Sequence, residues 1–236
     1  MGRLVTLGHP FVDLGTFPTH TCGKGTVRWR ITGSGHAATP WWFSNSGDGR
    51  FDLNRHSGHG TCYLADSPLG CLLETIWRDA VPTGDPNLFP PIAPSEVAAL
   101  RAVQVEVPSD HRCADVTGEG TTQLHTSFGI TDAVGTCDSY LIPQEWAGAW
   151  HAQHFGGVAY RLSHGTGLVG WALFGEEGGR GLPAVTIHLI DDKLLTHDGI
   201  RIEMAPSMAE LAVVDDQAAA LRILTTEAKP SPRLDH

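Results

Sequence analysis

Two short segments place arginine side chains where they suit the binding of an anion. Residues 27–31 read VRWRI, a β-prone run in which Arg28 and Arg30 fall on one face of a strand. Residues 47–52 read GDGRFD, where glycines let a loop approach a ligand closely and Arg50 offers a forked donor. Guanidinium groups bind phosphate through paired hydrogen bonds. Solvated arginines, on an edge strand and in a tight turn, are the alternatives that local chemistry leaves open.

A tyrosine and a carboxylate follow in residues 60–74, which read GTCYLADSPLGCLLE. Ser67-Pro68 is typical of a helix start, with serine as the N-cap and proline at the first helical position. An apolar stripe follows it: Leu69, Leu72, Leu73 and Ile76. Glu74 lies at the edge of this stripe, where it either faces a cleft or pairs on the surface with Arg78. Tyr63 precedes the helix on a strand, where a core aromatic is the ordinary alternative.

A metal site is an alternative role for several of the histidines. His56, His59 and Cys62 have a spacing that supplies three zinc ligands, but no fourth ligand follows at a standard spacing. His151 and His154 share a face of a predicted helix, where solvation is the expected fate of both. We therefore expect no metal site. The five cysteines are odd in number and show no C-x-x-C pair, which predicts reduced thiols in a cytoplasmic protein.

The composition limits the classes of function. The 236 residues are 41% hydrophobic and 18% charged, which suits a domain with a real core. A formal net charge of −10 disfavours nucleic acid and anionic lipid as partners. No run approaches the ~20 apolar residues that span a bilayer, and no long apolar segment stands at the start.

Strands outnumber helices in the predicted order of elements. Strands are expected over residues 27–31, 61–65, 100–107, 158–162, 168–174 and 185–190, and helices from Pro68, over residues 143–153 up to Gly156-Gly157, and over 216–224. We predict an irregular arm over residues 1–25, one domain over 26–225 and a flexible tail over 226–236. The class is α+β, because strands and helices alternate too weakly for a doubly wound sheet. Neither a dinucleotide-binding glycine motif nor a P-loop occurs between a strand and a helix.

Taken in order, these segments resemble the RES domain family, which is named for an Arg, a Glu and a Ser. The resemblance covers residues 26–190 and rests on GDGRF, on YLADSP with the helix carrying Glu74, and on GVAYRLSH followed by a strand ending in Leu-Phe. It implies an ADP-ribosyltransferase-like split β-sheet with few helices around a cleft for NAD⁺. Members cleave the nicotinamide–ribose bond with water or phosphate. Many are toxins whose helix-turn-helix antitoxin would here be a separate chain.

The resemblance also implies roles for the charged residues. Glu74 would stabilise the cation that forms on the ribose, a transition state like that of glycoside hydrolysis. Arg30 and Arg50 would bind the pyrophosphate, and one of them would also bind inorganic phosphate if the reaction is phosphorolysis. Arg28 is the alternative to Arg30. Nicotinamide leaves as a neutral molecule, so neither a metal nor a cofactor beyond the NAD⁺ substrate is expected.

The remaining implied site residues are aromatic or polar. Tyr63 would stack on nicotinamide or ribose, and Trp42 would form a second aromatic wall. Ser163 would hydrogen-bond the ribose or a phosphate. The family places its serine two residues after the strand tyrosine, where this chain has Leu162, so His164 is a rival to Ser163.

Three other functions stay open at this point. Transfer of ADP-ribose to a protein or a small molecule would use the same site and differ only in its acceptor. A RES-like fold kept as a binding module is disfavoured by the intact arginine, tyrosine and glutamate candidates. A zinc hydrolase built on His56, His59 and Cys62 is the last alternative.

Overall fold

Ten strands and two α-helices make up the regular structure of the residues that the computed structural model describes, which are 14–55, 57–75, 98–117, 140–162 and 168–190. The strands are β1 (Thr19–Cys22), β2 (Val27–Gly33), β3 (Trp42–Phe43), β4 (His59–Ala65), β5 (Leu100–Glu106), β6 (His111–Val116), β7 (Gly157–Arg161), β8 (Val169–Glu176), β9 (Gly178–Gly179) and β10 (Thr186–Leu189). The helices are α1 (Pro68–Thr75) and α2 (Leu141–Ala152), and Ser34–His36 forms a 3₁₀ turn. The predicted helix over 216–224 and the predicted tail lie outside the described residues.

Eight of these strands form one mixed sheet in the order β1-β6-β7-β8-β4-β2-β5-β10, and β3 pairs with β9 in a small second sheet. Strands β6 and β7 run parallel, and the other neighbours in the large sheet run antiparallel. The predicted α+β class is confirmed. Neither helix in the described part of the chain is long and apolar enough to cross a membrane.

Alternating side chains let the large sheet bury both of its faces. On β8, Trp171 belongs to one buried cluster and Ala172 to the other, as the period of two in a strand requires. One cluster lies beneath the two helices and includes Trp146 of α2. The opposite cluster includes Trp41 and Phe43, at the small β3–β9 sheet.

The sheet opens between β2 and β4, as the split core implied by the resemblance requires. Strand β2 pairs with β5 at seven positions but with β4 at only one, where Trp29 lies opposite Ala65. Helix α1 begins directly after β4, so its last turn lies beside the opening. Because β2, β4 and α1 meet there, side chains distant in sequence line one cleft.

Four strands occur where the sequence predicts none: β1, β3, β6 and β9. The prediction of an irregular arm is wrong for residues 19–22. Strand β1 lies in that arm, and β6 lies in a segment with no predicted element. The sequence THTC of β1 has no apolar alternation, so its strand form depends on pairing with β6, from Thr19 opposite Ala114 to Cys22 opposite His111. Such long-range pairing leaves little local signal.

The end of α2 also differs from the prediction that Gly156-Gly157 terminates it. The helix ends at Ala152, and His154 adopts the left-handed conformation with φ 61°. A non-glycine residue therefore makes the turn that glycine usually makes after a helix. Histidine is among the residues that enter this region more often than most.

Candidate active site

A cavity of about 220 Å³ lies at the opening between β2 and β4. It is lined by residues of β2, β4, β7, α1 and the loop before β4. Four residues predicted for the site line it together: Arg30, Arg50, Tyr63 and Glu74. Each of the four comes from a different element, so the cavity exists only in the folded chain.

Glu74, in the last turn of α1, is fixed by a tyrosine from the neighbouring sheet. Its partly exposed side chain is hydrogen-bonded to the side chain of Tyr160 in β7. Tyr160 is only 1% exposed. Burial, and next the Glu74 carboxylate, raise the pKa of Tyr160 well above its ordinary value, so the hydroxyl keeps its proton and donates to Glu74. The cavity wall thus holds an oriented carboxylate, a group suited to stabilising positive charge.

Arg50 is carried by a loop that is closed by its own carboxylate. Oδ2 of Asp52 accepts hydrogen bonds from Ser46 Oγ at 3.2 Å and from the backbone N–H groups of Gly47 and Gly49, each at 3.0 Å. Aspartate closes turns in this way because its oxygens reach nearby backbone donors. The two glycine N–H groups are therefore used inside the loop. The spacing of the glycines suggests that these amides bind a ligand, but they donate to Asp52 instead. The loop contributes the side chain of Arg50 to the cavity.

Tyr63 ties the same loop to β4. Its hydroxyl donates to Oδ1 of Asp52 at 2.9 Å and accepts from the N–H of Phe51 at 2.8 Å. Burial, with the Asp52 carboxylate beside it, raises the pKa of Tyr63, so this hydroxyl also stays protonated. A Cβ atom at Gly49 would lie 2.4 Å from Asp52 Oδ1 and 2.5 Å from the Tyr63 oxygen, so only glycine fits there.

The buried charge of Arg50 is surrounded by aromatic rings. The residue is 6% exposed, and its guanidinium carbon lies 5.8 Å from the ring centre of Tyr140 and 6.0 Å from that of Tyr160. Such cation–π contacts favour a guanidinium in a partly apolar wall. Arg50 lowers the pKa of Tyr160 while Glu74 raises it. The positive group and the carboxylate therefore act on one hydroxyl, and both line the cavity.

The structure shows which of Arg28 and Arg30 reaches the cavity, a choice that the strand period alone leaves open. Arg30 lines the cavity, and its Nη1 donates to the carbonyl of Trp42 at 3.0 Å. Arg28 does not line it. Arg28 forms an ion pair with Asp66, with Nε 3.1 Å from Oδ1, and its guanidinium carbon lies 5.2 Å from the ring centre of Trp171. Of the two arginines, Arg30 is the one placed to meet a ligand.

Trp42 does not line the cavity. It is 49% exposed, pairs through β3 with Gly179, and has its ring 6.2 Å from that of His36. The aromatic surfaces of the cavity come instead from Tyr63 and Tyr160. Ser163 and its rival His164 lie outside the described residues.

A thiol also lines the cavity, from Cys71 of α1. Burial raises its pKa far above the ordinary value, and Arg30 offsets only part of this effect. The reactive form of cysteine is the thiolate, so Cys71 is a protonated thiol and no nucleophile. Among the described residues that line the cavity, only Glu74 carries a carboxylate.

Of the three residues of the zinc alternative, the two that the structure describes make different contacts. Cys62 is buried, with its Sγ against Nη1 of Arg30, whereas the ring of His59 lies 4.7 Å from that of His151. His56 lies outside the described residues. Within the described ranges, no group of three or more histidine, cysteine or acidic side chains is arranged to hold a metal ion.

Three residues that build the site are not among those the sequence singles out: Tyr160, Asp52 and Gln144. Tyr160 follows Val158 on one face of a strand, a pattern that predicts core. Asp52 ends the segment GDGRFD, and its distance of three residues from Gly49 is a weak signal of a closed turn. Gln144 lies on a predicted helix and has no local signal for its contact with a loop about a hundred residues earlier, at Gly47.

Comparison with protein-family models matches residues 28–190 to the model described as RES domain. Among solved structures, the chain is similar to one in the M. tuberculosis MbcT-MbcA toxin-antitoxin complex, with a TM-score of 0.51 and 21% sequence identity over 71% of this chain and 85% of that chain. No curated protein matches it. The fold is ADP-ribosyltransferase-like, which confirms the expectation from the motifs.

Proposed function

Because this chain belongs to the RES domain family, we propose that it consumes NAD⁺ by cleaving the bond between nicotinamide and ribose. Water or inorganic phosphate is the acceptor. The observation that carries the proposal is that one carboxylate, Glu74, and two guanidinium groups, Arg30 and Arg50, line the same cavity. A dinucleotide presents groups of matching charge: a pyrophosphate for the arginines and a ribose that becomes positive for the glutamate.

Glu74 is assigned to the chemical step. Cleavage releases a neutral pyridine from a pyridinium, so the leaving group needs neither a proton nor a metal ion. The barrier lies in the charge that develops on the ribose, as in glycoside hydrolysis. A carboxylate held in place before the reaction stabilises this charge, and preorganised groups of this kind contribute about 10²–10³ in rate. Tyr160 supports the assignment because its hydrogen bond holds the carboxylate at the cavity wall.

The two arginines are assigned to binding. Arg50 and Arg30 would each donate to the pyrophosphate, the guanidinium fork being matched to phosphate oxygens. A volume of about 220 Å³ is below the ~300–1,000 Å³ of pockets that enclose a whole drug-sized ligand. The cavity therefore suits the nicotinamide riboside end, with Tyr63 offering its ring to a ligand face. Ser163 keeps its predicted role, a hydrogen bond to the ribose or a phosphate.

We also propose that the protein is a cytoplasmic toxin held by an antitoxin on a separate chain. The support is the likeness in fold to a protein solved within a toxin-antitoxin complex. Expression of the chain should then arrest growth and deplete cellular NAD⁺, and the variant Glu74→Gln should do neither. Normal growth and normal NAD⁺ on expression of the unaltered chain would contradict the toxin role.

Incubation of the purified protein with NAD⁺, with and without phosphate, tests the proposed activity. Released nicotinamide with ADP-ribose identifies hydrolysis, ADP-ribose 1″-phosphate identifies phosphorolysis, and a modified protein or small molecule identifies transfer. A chelator should leave the rate unchanged. Intact NAD⁺ in every arm would contradict the proposed function.

A further inference from the structure

Gln144 of α2 reaches across to the loop that carries Arg50. Its Nε2 atom donates to the carbonyl oxygens of Gly47 and of Gly49, both at 2.8 Å. A side-chain amide nitrogen has two hydrogens, so both are used. The N–H groups of the same two glycines donate to Asp52. The loop backbone is thus held from two sides, by Asp52 from within and by Gln144 from the helix.

The second of these contacts acts directly on Arg50. The carbonyl of Gly49 belongs to the peptide group that joins Gly49 to Arg50. A peptide group is planar, so fixing its oxygen also fixes the nitrogen and the Cα atom from which the arginine side chain departs. The side chain is 6% exposed and has little room to compensate for a shift of its backbone.

We propose that Gln144 is a positioning residue: it fixes residues 46–52 and so sets where the guanidinium of Arg50 stands in the cavity. The proposal rests on the proposed function, in which Arg50 binds the pyrophosphate of NAD⁺. It assigns to α2, which supplies none of the lining side chains of the cavity among the described residues, a part in substrate binding.

Helix α2 is a suitable reference for a loop rich in glycine. Trp146 and Trp150 anchor the helix in the core, with exposed fractions of 2% and 0%. Gly47 has φ 81°, a conformation that glycine enters and leaves without a side-chain penalty. The glycines themselves restrict the loop little. The hydrogen bonds from Gln144, on a well-anchored helix, therefore limit its conformations.

The test replaces Gln144 by Met, which has a similar volume and no donor. Gln153→Met is the matched control, because Gln153 is an exposed residue just after the same helix. Two readouts are taken on the full chain: steady-state kinetics with NAD⁺, and hydrogen–deuterium exchange of the backbone across residues 44–53. If Gln144 served only folding, the variant would have a lower unfolding temperature but would not show a raised KM at nearly constant kcat.

We expect the KM of Gln144→Met for NAD⁺ to rise roughly tenfold, because a displaced Arg50 loses much of its charge-assisted hydrogen bonding to the pyrophosphate. The value of kcat should stay within about threefold, since the lost contact serves the ground state and the transition state alike. Exchange across 44–53 should accelerate in this variant and not in Gln153→Met.

Unchanged KM in a folded Gln144→Met protein would overturn the proposal, and so would unchanged exchange across the loop. If that variant does not fold, Gln144→Asn gives the same readouts, because its shorter amide cannot span both carbonyls. A wild-type protein that leaves NAD⁺ intact would refute the proposed function instead. Exchange across the loop would still decide whether Gln144 fixes it.

Discussion

Removing one oxygen atom from Tyr160 isolates its contact with Glu74. The ring of Tyr160 lies 5.0 Å from that of Phe51, and a Cβ atom on Gly170 would lie 2.6 Å from Cζ, so the ring is tightly enclosed. In Tyr160→Phe the ring keeps these neighbours and only the hydroxyl is lost. We therefore expect the variant to fold and the Glu74 carboxylate to lose the hydrogen bond from residue 160.

The size of the effect follows from the type of hydrogen bond. A hydrogen bond to a charged acceptor contributes about 1.5–3 kcal/mol, and each 1.36 kcal/mol is about tenfold in rate. Glu74 is partly exposed, so in the variant a water molecule replaces part of the hydrogen bonding that the Tyr160 hydroxyl provides. We therefore expect the lower end of this range, a fall in kcat of roughly tenfold. The KM should change little, because the variant keeps the ring that lies beside Arg50 and loses only the hydroxyl that donates to Glu74.

Initial rates of nicotinamide release at saturating NAD⁺ measure this effect, and a thermal unfolding curve verifies the fold. Tyr63→Phe is the matched comparison, because it removes the same atom from the other cavity tyrosine. Since the Tyr63 hydroxyl holds the loop of Arg50, that variant should raise KM more than it lowers kcat. A folded Tyr160→Phe protein with the kcat of the wild type would refute the positioning of Glu74.

Three further variants or conditions give defined outcomes. Glu74→Gln should retain NAD⁺ binding by calorimetry and lose about 10²–10³ in turnover; full turnover would remove Glu74 from the mechanism. Gly49→Ala should lower the free energy of unfolding, measured with denaturant, by about 1–3 kcal/mol. Gly33→Ala should lower it little, because no atom lies within 4 Å of the added carbon. Equal losses in the two variants would contradict the packing argument. Burial lowers the pKa of His111 and of His151 from 6.5, so near and below that pH the unfolded chain binds more protons than the folded chain. The unfolding temperature should therefore fall when the pH is lowered from about 7.5 to about 5.5. An unfolding temperature that does not change over this range would contradict the argument.

The elements that carry the cavity are predictable because their signals are local. Apolar residues and Ser67-Pro68 predict the end of β4 and the start of α1, and the helix does begin at Pro68. The segment 47–52 is recognisable from its glycines and its arginine. These features depend on neighbours in sequence, so the chemistry of a few residues is enough to find them.

Contacts between distant segments are what the sequence could not provide. A period of two puts Arg28 and Arg30 on the same strand face. Only the folded chain shows that Arg28 pairs with Asp66, just after β4, whereas Arg30 lines the cavity. The local sequence predicts Tyr160 to be a core residue, because no residue near it in sequence indicates its contact with Glu74. Strand β1 likewise depends on its partner β6, and its register is a property of the folded sheet.

A crystal structure of the Glu74→Gln variant with NAD⁺ tests the central claim most directly. The predicted result places the nicotinamide ribose within hydrogen-bond distance of the residue 74 side chain, with the pyrophosphate against Arg50 and Arg30. A dinucleotide bound away from the opening between β2 and β4, or bound there with its phosphates remote from both arginines, would contradict the claim.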